Sequence, residues 1–461
     1  MYNYLFDDTI AAIATANGQG AIAIVRLSGS QAIEVVKKVF VTKEDLTSVE
    51  PWKAIFGKIY DEEQEVDEVI VIKYKAPNSY TKEDMVEINC HGGIYVSQRI
   101  LEVLLKKGAR LAQPGEFTLR AFLNGRIDLS QAEAVADIIQ SQTSFSLQTS
   151  LKQLHGKLSD RIKQIRDSIM ESCSLLELEL DFAEENVEFV DRTDFLIKLD
   201  DIKEELNELI TTYKIGRIAR EGVKLVIAGK PNVGKSSLLN VLVKEERAIV
   251  TDFPGTTRDP LEVQLDLKGI LFRVYDTAGL TRSDNPIEIE GIKRTEEHLQ
   301  TADIIIHLFD GSQPLTSEDF EIIQKIDKIK HAKVVRVINK TDLPIILDKS
   351  KLYKNSVNLL SISALNKIGI KEFEEIVLKL ITEDSEYHSQ EALVTNVRHY
   401  EALKRAISNL EKTKGEIEKG MSSEFVAVYL RDALDDLGQV VGTVTSEDIL
   451  NHIFSKFCIG K

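Results

Sequence analysis

The chain has 461 residues, of which 43% are hydrophobic and 29% are charged, and its formal net charge is −16. This length predicts about three domains, and the composition is typical of a globular protein. The acidic balance argues against a general nucleic-acid-binding protein, so any contact with RNA must be local or shared with a partner.

Membrane and secretory classes are also disfavoured. No apolar run approaches the ~20 residues of a membrane span, and the acidic N-terminus lacks the basic segment of a signal peptide. The cysteines at 90, 173 and 458 are widely spaced without a C-x-x-C pair. This spacing argues against a disulfide framework or a structural zinc site, and it fits a reducing cytoplasm.

Residues 1 to about 120 predict a mixed α/β domain. Alternating or buried apolar runs predict strands at 22–29, 52–60, 66–74 and 84–93, and helical spacing predicts helices at 31–40 and 94–107. His91 stands beside two glycines, which is more typical of a turn cap than of a catalytic base.

Residues 130–214 predict helices. Ser130 to Glu133 has the pattern of a capping box. Apolar residues at three/four spacing then continue from Leu151 to Leu180, and a second stripe runs from Phe195 to Tyr213. Such stripes indicate packed helix faces. Gly216 and Gly222 flank a predicted short link.

A glycine-rich stretch in the middle of the chain has the pattern G-x-x-x-x-G-K-S. It runs from Gly229 to Ser236, follows the apolar strand 224–228 and opens a helix at Lys235. Glycines let successive backbone N–H groups point at phosphate oxygens, and the helix start adds its positive dipole end. Lys235 should reach the β- and γ-phosphates, and the Ser236 hydroxyl should ligate Mg²⁺. Strand, loop and helix in this order predict a nucleotide-binding phosphate loop.

A second motif suits the same nucleotide. Asp276, Thr277, Ala278 and Gly279 follow the predicted strand 271–275. A carboxylate at this strand end can hold Mg²⁺ through water, and the Gly279 N–H can reach the γ-phosphate.

Two further motifs predict the base. Asn339, Lys340, Thr341 and Asp342 follow the strand 334–338. The Asp342 carboxylate can accept both the N1–H and the 2-amino group of guanine, which adenine does not offer. Ser363, Ala364 and Leu365 follow the run 357–362 and can close over the base. Four motifs in this order resemble the translation-factor-like GTPases.

The stretch from Thr251 to Asp259, between the phosphate loop and Asp276, is rich in hydroxyl groups. In a GTPase a threonine here binds Mg²⁺ and the γ-phosphate when the loop closes, and Thr257 is the predicted one. A surface turn rich in hydroxyl groups is the alternative.

The residue after Gly279 is Leu280, where Ras-type GTPases have a glutamine that orients the attacking water. Leucine cannot do this, so hydrolysis needs another device. Asn232 can hold a monovalent cation near the phosphates with carbonyls of the 251–256 loop. Glu288 can orient water through a second water, although on the residues alone it is more simply a solvated acid.

Helices are predicted again at 397–419, 425–441 and 446–457. Helical segments before and after the nucleotide motifs predict one helical domain, 121–216 with 386–461, interrupted by a GTPase domain at 217–385. Near the C-terminus, Cys458 is either a reactive thiol or a small buried residue, and Lys461 does not fit a prenylation box.

Several stretches together resemble the MnmE (TrmE) family of tRNA-modification GTPases. These are Asn232–Asn240, Thr251–Asp259, Asp276–Leu280, Phe457–Lys461, Pro114–Thr118, Ala121–Gly125 and Ser79–Thr81. The resemblance covers essentially the whole chain. It implies a multidomain α/β plus all-α protein with a folate-binding-like α/β domain at 1–120, a helical domain and an inserted Ras-like GTPase domain with a doubly wound sheet.

The resemblance also implies chemistry. The family modifies carbon 5 of the wobble uridine of certain tRNAs, with aminomethyl or carboxymethylaminomethyl groups, and works with an FAD-containing MnmG-type partner in a heterotetramer. Its N-terminal domain binds 5-formyltetrahydrofolate or a related reduced folate and forms the homodimer. Matching positions imply that Arg26, Glu87, Arg126 and Lys461 bind the folate. The family commonly has lysine where Arg126 stands, which keeps the charge but changes the geometry.

For the GTPase domain, the resemblance implies K⁺ in place of an arginine finger, held by Asn232, Thr251, the Phe253 carbonyl and Thr256. It also makes Glu288 the expected water-orienting residue and Lys235 a further catalytic residue. In the C-terminal tail, the resemblance makes Cys458 a candidate nucleophile. The expected GTP contacts are Asn232, Val233, Gly234, Lys235, Ser236, Ser237, Thr251, Asp252, Phe253, Pro254, Gly255, Thr256, Thr257, Asp276, Thr277, Ala278, Gly279, Asn339, Lys340, Asp342, Ser363, Ala364 and Leu365.

Two functions compete at this point. The first is a cytoplasmic enzyme whose GTP cycle drives tRNA modification. The second is a non-catalytic switch GTPase of ribosome assembly or signalling, whose GTP site would look the same. The N-terminal domain and the Cys-Ile-Gly-Lys tail favour the enzyme, because a bare switch does not need them.

Overall fold

The computed structural model describes residues 8–181, 192–244, 262–276, 296–352, 358–382, 392–419, 421 and 423–461. The chain forms two compact units. The first unit contains Met1–Ile139, Gln153–Leu206 and Glu401–Lys461, and the second contains Gln140–Lys152 and Asn207–Tyr400. Among the described residues, no helix has the length and apolar character needed to cross a membrane.

The strands are β1 Ile10–Ile13, β2 Ile22–Ser28, β3 Phe40–Val41, β4 Ala54–Asp61, β5 Gln64–Tyr74, β6 Met85–His91, β7 Arg110–Leu111, β8 Val223–Ala228, β9 Glu262–Leu267, β10 Ile270–Asp276, β11 Ile304–Asp310, β12 Lys333–Asn339 and β13 Asn358–Ser361. The helices are α1 Ala32–Lys37, α2 Ile94–Lys106, α3 Glu116–Leu123, α4 Leu129–Gln140, α5 Ser144–Leu154, α6 Lys157–Asp181, α7 Arg192–Thr211, α8 Tyr213–Glu221, α9 Lys235–Lys244, α10 Ser317–Asp327, α11 Ile370–Thr382, α12 Val397–Glu418, α13 Ser423–Val441 and α14 Glu447–Phe454.

The first unit contains a seven-stranded sheet in the order β3-β4-β5-β6-β2-β1-β7. Its strands pair antiparallel except for β1 with β7. In β6, Val86, Ile88 and Cys90 are buried in the core that α1 and α2 share with the sheet, whereas Glu87, Asn89 and His91 are less buried. Because strand side chains alternate between faces, Glu87 projects from the other face, opposite Arg26 of β2. The alternation of apolar and polar residues in β6 therefore determines which face of the sheet carries Glu87.

The helical region departs from the sequence prediction at two places. The cap of α4 is Asp128 rather than Ser130, because Asp128 Oδ1 accepts the Gln131 N–H at 3.0 Å and Gln131 Oε1 accepts the Asp128 N–H at 2.9 Å. The apolar stripe that starts at Leu151 is split between α5 and α6, because Gly156 adopts φ +84° in the turn between them.

The second unit contains a six-stranded sheet in the order β13-β12-β11-β8-β10-β9. All pairs are parallel except β9 with β10. The fold class, α/β plus all-α with a Ras-like doubly wound sheet, is confirmed. Strand β11 was not predicted from the sequence, although every residue of this strand is buried. β11 matters for the site because its carboxyl end lies between those of β8 and β12.

Two segments of the second unit meet where the chain enters and leaves it. The Val394 N–H donates to Thr212 Oγ1 at 2.9 Å, across 182 residues of sequence. The Tyr213 and Tyr400 rings stack with centroids 4.4 Å apart. Gly216 lies within α8, which ends at Glu221, so residues 216–221 form a helix where a short link was predicted.

Candidate functional site

The phosphate loop connects β8 to α9, as its motif predicts. Asn232 adopts φ +63° and Gly234 φ +99°, so the backbone curls as a phosphate cradle requires. A Cβ at Gly234 would lie 2.3 Å from Asn339 Nδ2, so only glycine fits there. Ser236 and Ser237, in the first turn of α9, are exposed, which leaves them accessible to a nucleotide and its metal.

Lys235 is held inside this loop. Its side chain is 8% exposed, and Nζ donates to the Gly229 carbonyl at 2.8 Å and to the Lys230 carbonyl at 2.9 Å. The ammonium group is therefore placed by the loop's own backbone. Glycine cradle, helix start, placed lysine and exposed serine together fit a nucleoside triphosphate with Mg²⁺.

Asn339 links the two nucleotide-binding loops. It is 2% exposed; its Nδ2 donates to the Val233 carbonyl at 2.9 Å, and its Oδ1 accepts the Ala364 N–H at 2.9 Å. The phosphate loop and the segment predicted to close over the base are thus tied through one side chain. Leu365, the next residue, is 81% exposed.

The predicted base-reading residue is also positioned. Ser363 Oγ donates to Asp342 Oδ1 at 2.5 Å, and Ser363 is fully buried. This hydroxyl orients the carboxylate, and each carboxylate oxygen retains a lone pair that can accept a further donor. The arrangement suits the paired donors on the edge of guanine.

Lys340 is anchored by a residue that the sequence analysis did not identify. Its Nζ lies 2.6 Å from Asp310 Oδ2, at the carboxyl end of β11. Burial raises the pKa of the Asp310 carboxyl, but hydrogen bonds from Lys340 and Ser312 outweigh burial and bring the pKa below its usual value. The apolar run before Asp310 was the available signal.

Some predicted residues lie outside the described part of the chain: Thr251, Asp252, Phe253, Pro254, Gly255, Thr256, Thr257, Thr277, Ala278, Gly279 and Glu288. Only the backbone of Asp276 is described, at the end of β10. These assignments stay predictions.

A second group of predicted residues meets in the first unit. Arg26 Nε and Nη2 donate to Glu87 Oε1 at 2.9 and 2.7 Å, and the Tyr74 hydroxyl donates to Glu87 Oε2 at 2.8 Å. Burial and then the hydrogen bond to Glu87 raise the pKa of Tyr74 to about 12. Both oxygens of Glu87 are therefore held in place by neighbours.

Glu87 and Arg126 line an open cavity of about 620 Å³ that is walled by aromatic rings. The Arg126 guanidinium lies 4.6 Å from the centre of the Tyr80 ring. The other wall contains Trp52, whose ring meets the Tyr74 ring edge-on with centroids 4.7 Å apart. Aromatic walls with a carboxylate and a cation suit a flat, polar heterocycle.

The C-terminal tail lies beside this group. Ile459 pairs with Pro114, and the Gly460 carbonyl accepts from Arg26 Nη1 at 3.4 Å. Burial, and then the charge of Arg26, lower the pKa of Lys461. Arg26, Glu87, Arg126 and Lys461 thus lie in one region, and their role in folate binding stays a prediction.

The structure excludes one alternative for Cys458 and corrects the expectation for His91. Cys458 is exposed, so its interpretation as a small buried residue is wrong. His91 is the last residue of β6 rather than a turn cap, and its Nδ1 lies 2.7 Å from Asp67 Oδ1.

Comparisons with known proteins cover nearly the whole chain. The family model described as GTP-binding protein TrmE N-terminus matches residues 9–126, and the MnmE helical domain model matches residues 129–458. A protein of Thermoanaerobacter pseudethanolicus named tRNA modification GTPase MnmE is 45% identical over 461 residues, 98% of this chain and 99% of its own. A protein of the same name from Aquifex aeolicus is 44% identical over 98% of this chain and 100% of its own. A crystal structure of a variant of Aquifex aeolicus Era bound to GDP·AlF₄⁻ is also similar, at 27% identity and a TM-score of 0.29, over 40% of this chain and 65% of that chain.

Proposed function

Because the chain belongs to the MnmE family of tRNA modification GTPases, we propose that its GTP cycle drives modification of carbon 5 of the wobble uridine in tRNA. The product is an aminomethyl or carboxymethylaminomethyl group. A reduced folate supplies the one-carbon unit, and an FAD-containing partner of the MnmG type completes the reaction. The GTP-binding part of this proposal rests on Asn339, which joins the phosphate loop to the segment predicted to close over the base.

At the nucleotide site, the chain's own groups bind and orient GTP. The curled backbone and Lys235 stabilise the negative charge of the phosphates, and Ser236 contributes to Mg²⁺ binding. Asp342 selects guanine, with Ser363 holding its carboxylate. Magnesium supplies charge neutralisation at the phosphates when it is bound.

Potassium replaces an arginine finger in this proposal. Asn232 adopts φ +63° in the loop and is exposed. It would hold K⁺ together with Thr251, Thr256 and the Phe253 carbonyl. Glu288 orients the attacking water. GTP hydrolysis should therefore run well above its sodium rate in potassium, and equal rates in the two salts would remove Asn232 from the mechanism.

The second site binds the folate in this proposal. Glu87 faces the donor groups of the pterin, Arg26 and Tyr74 fix the Glu87 carboxylate, and Arg126 and Lys461 pair with negative or polar groups of the ligand. 5-Formyltetrahydrofolate is the expected ligand. The N-terminal domain, 1–120, forms the homodimer, and two chains join two partner subunits in a heterotetramer. Cys458 is exposed beside Lys461 and remains the nucleophile candidate.

Nucleoside analysis of tRNA tests this function. Cells that lack the chain should lose the modified wobble uridine, and wild-type chain should restore it while Glu87→Gln should not. Glu65→Gln, on an exposed surface pair with Lys58, is the matched control and should restore it. Normal tRNA in the deletion strain would overturn the proposal.

Folate binding separates this enzyme from a switch GTPase of ribosome assembly or signalling. Trp52 lines the cavity and is the chain's single tryptophan, so its fluorescence reports binding there. Reduced folate should quench Trp52 and be retained in equilibrium dialysis. Absence of both effects, with GTP hydrolysis intact, would favour the switch.

A further inference from the structure

Lys230 is the second residue of the phosphate loop, and its side chain turns away from the loop into a polar pocket. Its Nζ lies 2.6 Å from Asp319 Oδ2 and 3.1 Å from Thr316 Oγ1. The side chains of Lys230 and Asp319 are 13% and 3% exposed. This is a largely buried ion pair, in contrast to most lysine pairs on the surface.

Asp319 is itself fixed before it meets Lys230. It is the third residue of α10, and its Oδ2 accepts the Thr316 N–H at 2.7 Å and the Thr316 hydroxyl at 3.0 Å. The Thr316 side chain in turn accepts the Asp319 backbone N–H, which completes a capping box. A carboxylate locked by its own helix start is a rigid anchor. The loop residue therefore takes its position from α10.

The backbone carbonyl of Lys230 also positions the Lys235 side chain. Its carbonyl accepts from Lys235 Nζ at 2.9 Å, beside the Gly229 carbonyl at 2.8 Å. The residue tied to α10 thus also holds the ammonium group that reaches the phosphates. At the other end of the loop, Asn339 holds the Val233 carbonyl.

We propose that the Lys230–Asp319 ion pair is a positioning device that fixes the phosphate loop in its nucleotide-binding conformation before the nucleotide arrives. Lys230 does not contact the reacting atoms. It lowers the ordering cost that GTP or GDP would otherwise bear on binding. The inference concerns the nucleotide site alone and is independent of the folate and tRNA chemistry.

A preorganised loop has a distinct kinetic signature. Ordering one loop residue corresponds to about tenfold in an equilibrium constant. Lys230→Met in the full-length chain should therefore weaken binding of fluorescent GDP and GTP analogues by about tenfold each. In steady state, KM for GTP should rise by a similar factor while kcat stays within about threefold, because the ground-state and transition-state complexes bear the same added cost of ordering the loop.

Partner and rescue variants isolate the ion pair. Asp319→Asn keeps the size of the side chain and should weaken both nucleotides as Lys230→Met does, and the double variant should be no weaker than either single. Lys230→Arg keeps the positive charge and should therefore retain most of the wild-type affinity for both nucleotides. Lys325→Met is the matched control, since Lys325 lies on the same helix in an exposed pair with Glu296 at 3.0 Å.

The opposite results would overturn the proposal. One such result is a nucleotide affinity of Lys230→Met within twofold of wild type. Another is a double variant whose loss of affinity is the product of the losses in the two single variants. An affinity of Lys230→Arg as low as that of Lys230→Met, or an equal loss of affinity in Lys325→Met, would also contradict it. A drop in the melting temperature of nucleotide-free protein with unchanged KM would assign the pair to stability instead, and would equally refute the positioning role.

Discussion

Replacing Asn339 with alanine should uncouple the two halves of the nucleotide site. The side chain is buried and bonds one carbonyl, of Val233, and one N–H, of Ala364, each at 2.9 Å. Truncation leaves both backbone groups buried without this partner, at a cost of about 1–3 kcal/mol each. We expect the free energy of unfolding of the second unit to fall by about 2–4 kcal/mol, the lower part of that range for two groups.

Urea denaturation followed by two probes measures this loss. Far-UV circular dichroism reports both units, whereas the fluorescence of Trp52 reports the first unit alone. With a denaturant slope of about 2 kcal/mol/M, the transition of the second unit should move by about 1–2 M. The Trp52 transition should stay in place.

Asn358→Ala is the matched control, because Asn358 is an exposed asparagine on the neighbouring strand β13. It should leave both transitions within about 0.3 M of wild type, since exposed substitutions have small effects. Two results would contradict the linking role of Asn339. One is that Asn339→Ala shifts neither transition, and the other is that it shifts the Trp52 transition as much as the transition of the second unit.

Three further changes have defined outcomes. Burial lowers the pKa of His307 to about 3, so below about pH 6.5 the unfolded chain binds a proton that the folded chain does not. The free energy of unfolding should therefore fall with decreasing pH, by about 2 kcal/mol at pH 5, and His307→Leu should flatten this slope in urea titrations; an unchanged slope contradicts it. Asp342→Asn replaces one acceptor oxygen with a donor and should weaken GTP binding and shift base choice toward XTP; competition titrations with an unchanged preference would refute the base-reading role. Gly460→Ala would place a Cβ 2.4 Å from the Ile13 carbonyl at φ +97°, so reduced-folate binding should weaken by at least about tenfold while GTP hydrolysis is unchanged. Gly415→Ala, where a Cβ meets open space, should bind folate normally, and equal binding in both variants would exclude a role for the tail.

The phosphate loop could be predicted because its requirements are local. The loop needs a strand, then glycines that allow positive φ, then a helix start, and these follow one another in the sequence. Each of these features favours particular residue types. The same holds for β6, whose alternation placed Glu87 on the face away from the core. Such local patterns were enough to predict the family and the fold class, and both predictions are confirmed.

Contacts between distant residues could not be predicted. Asn339 was expected only as part of a base-binding motif, and its link from Val233 to Ala364 depends on the order of strands in the sheet. Lys230 gave no signal, because its partner Asp319 lies on a helix that the sequence analysis did not identify. The cap at Asp128 was missed because Ser130, two residues later, fits the same pattern.

The Arg26–Gly460 contact has a consequence for biosynthesis. These two residues are 434 positions apart, so Arg26 leaves the ribosome long before its partner exists. At about 5–20 residues per second, the delay is about 20–90 s. During this interval the nascent N-terminal domain can fold its sheet and pair Arg26 with Glu87, but it lacks the tail that carries Gly460 and Lys461. A chain that stalls before this tail is made would therefore present a folded domain whose proposed folate site lacks Lys461.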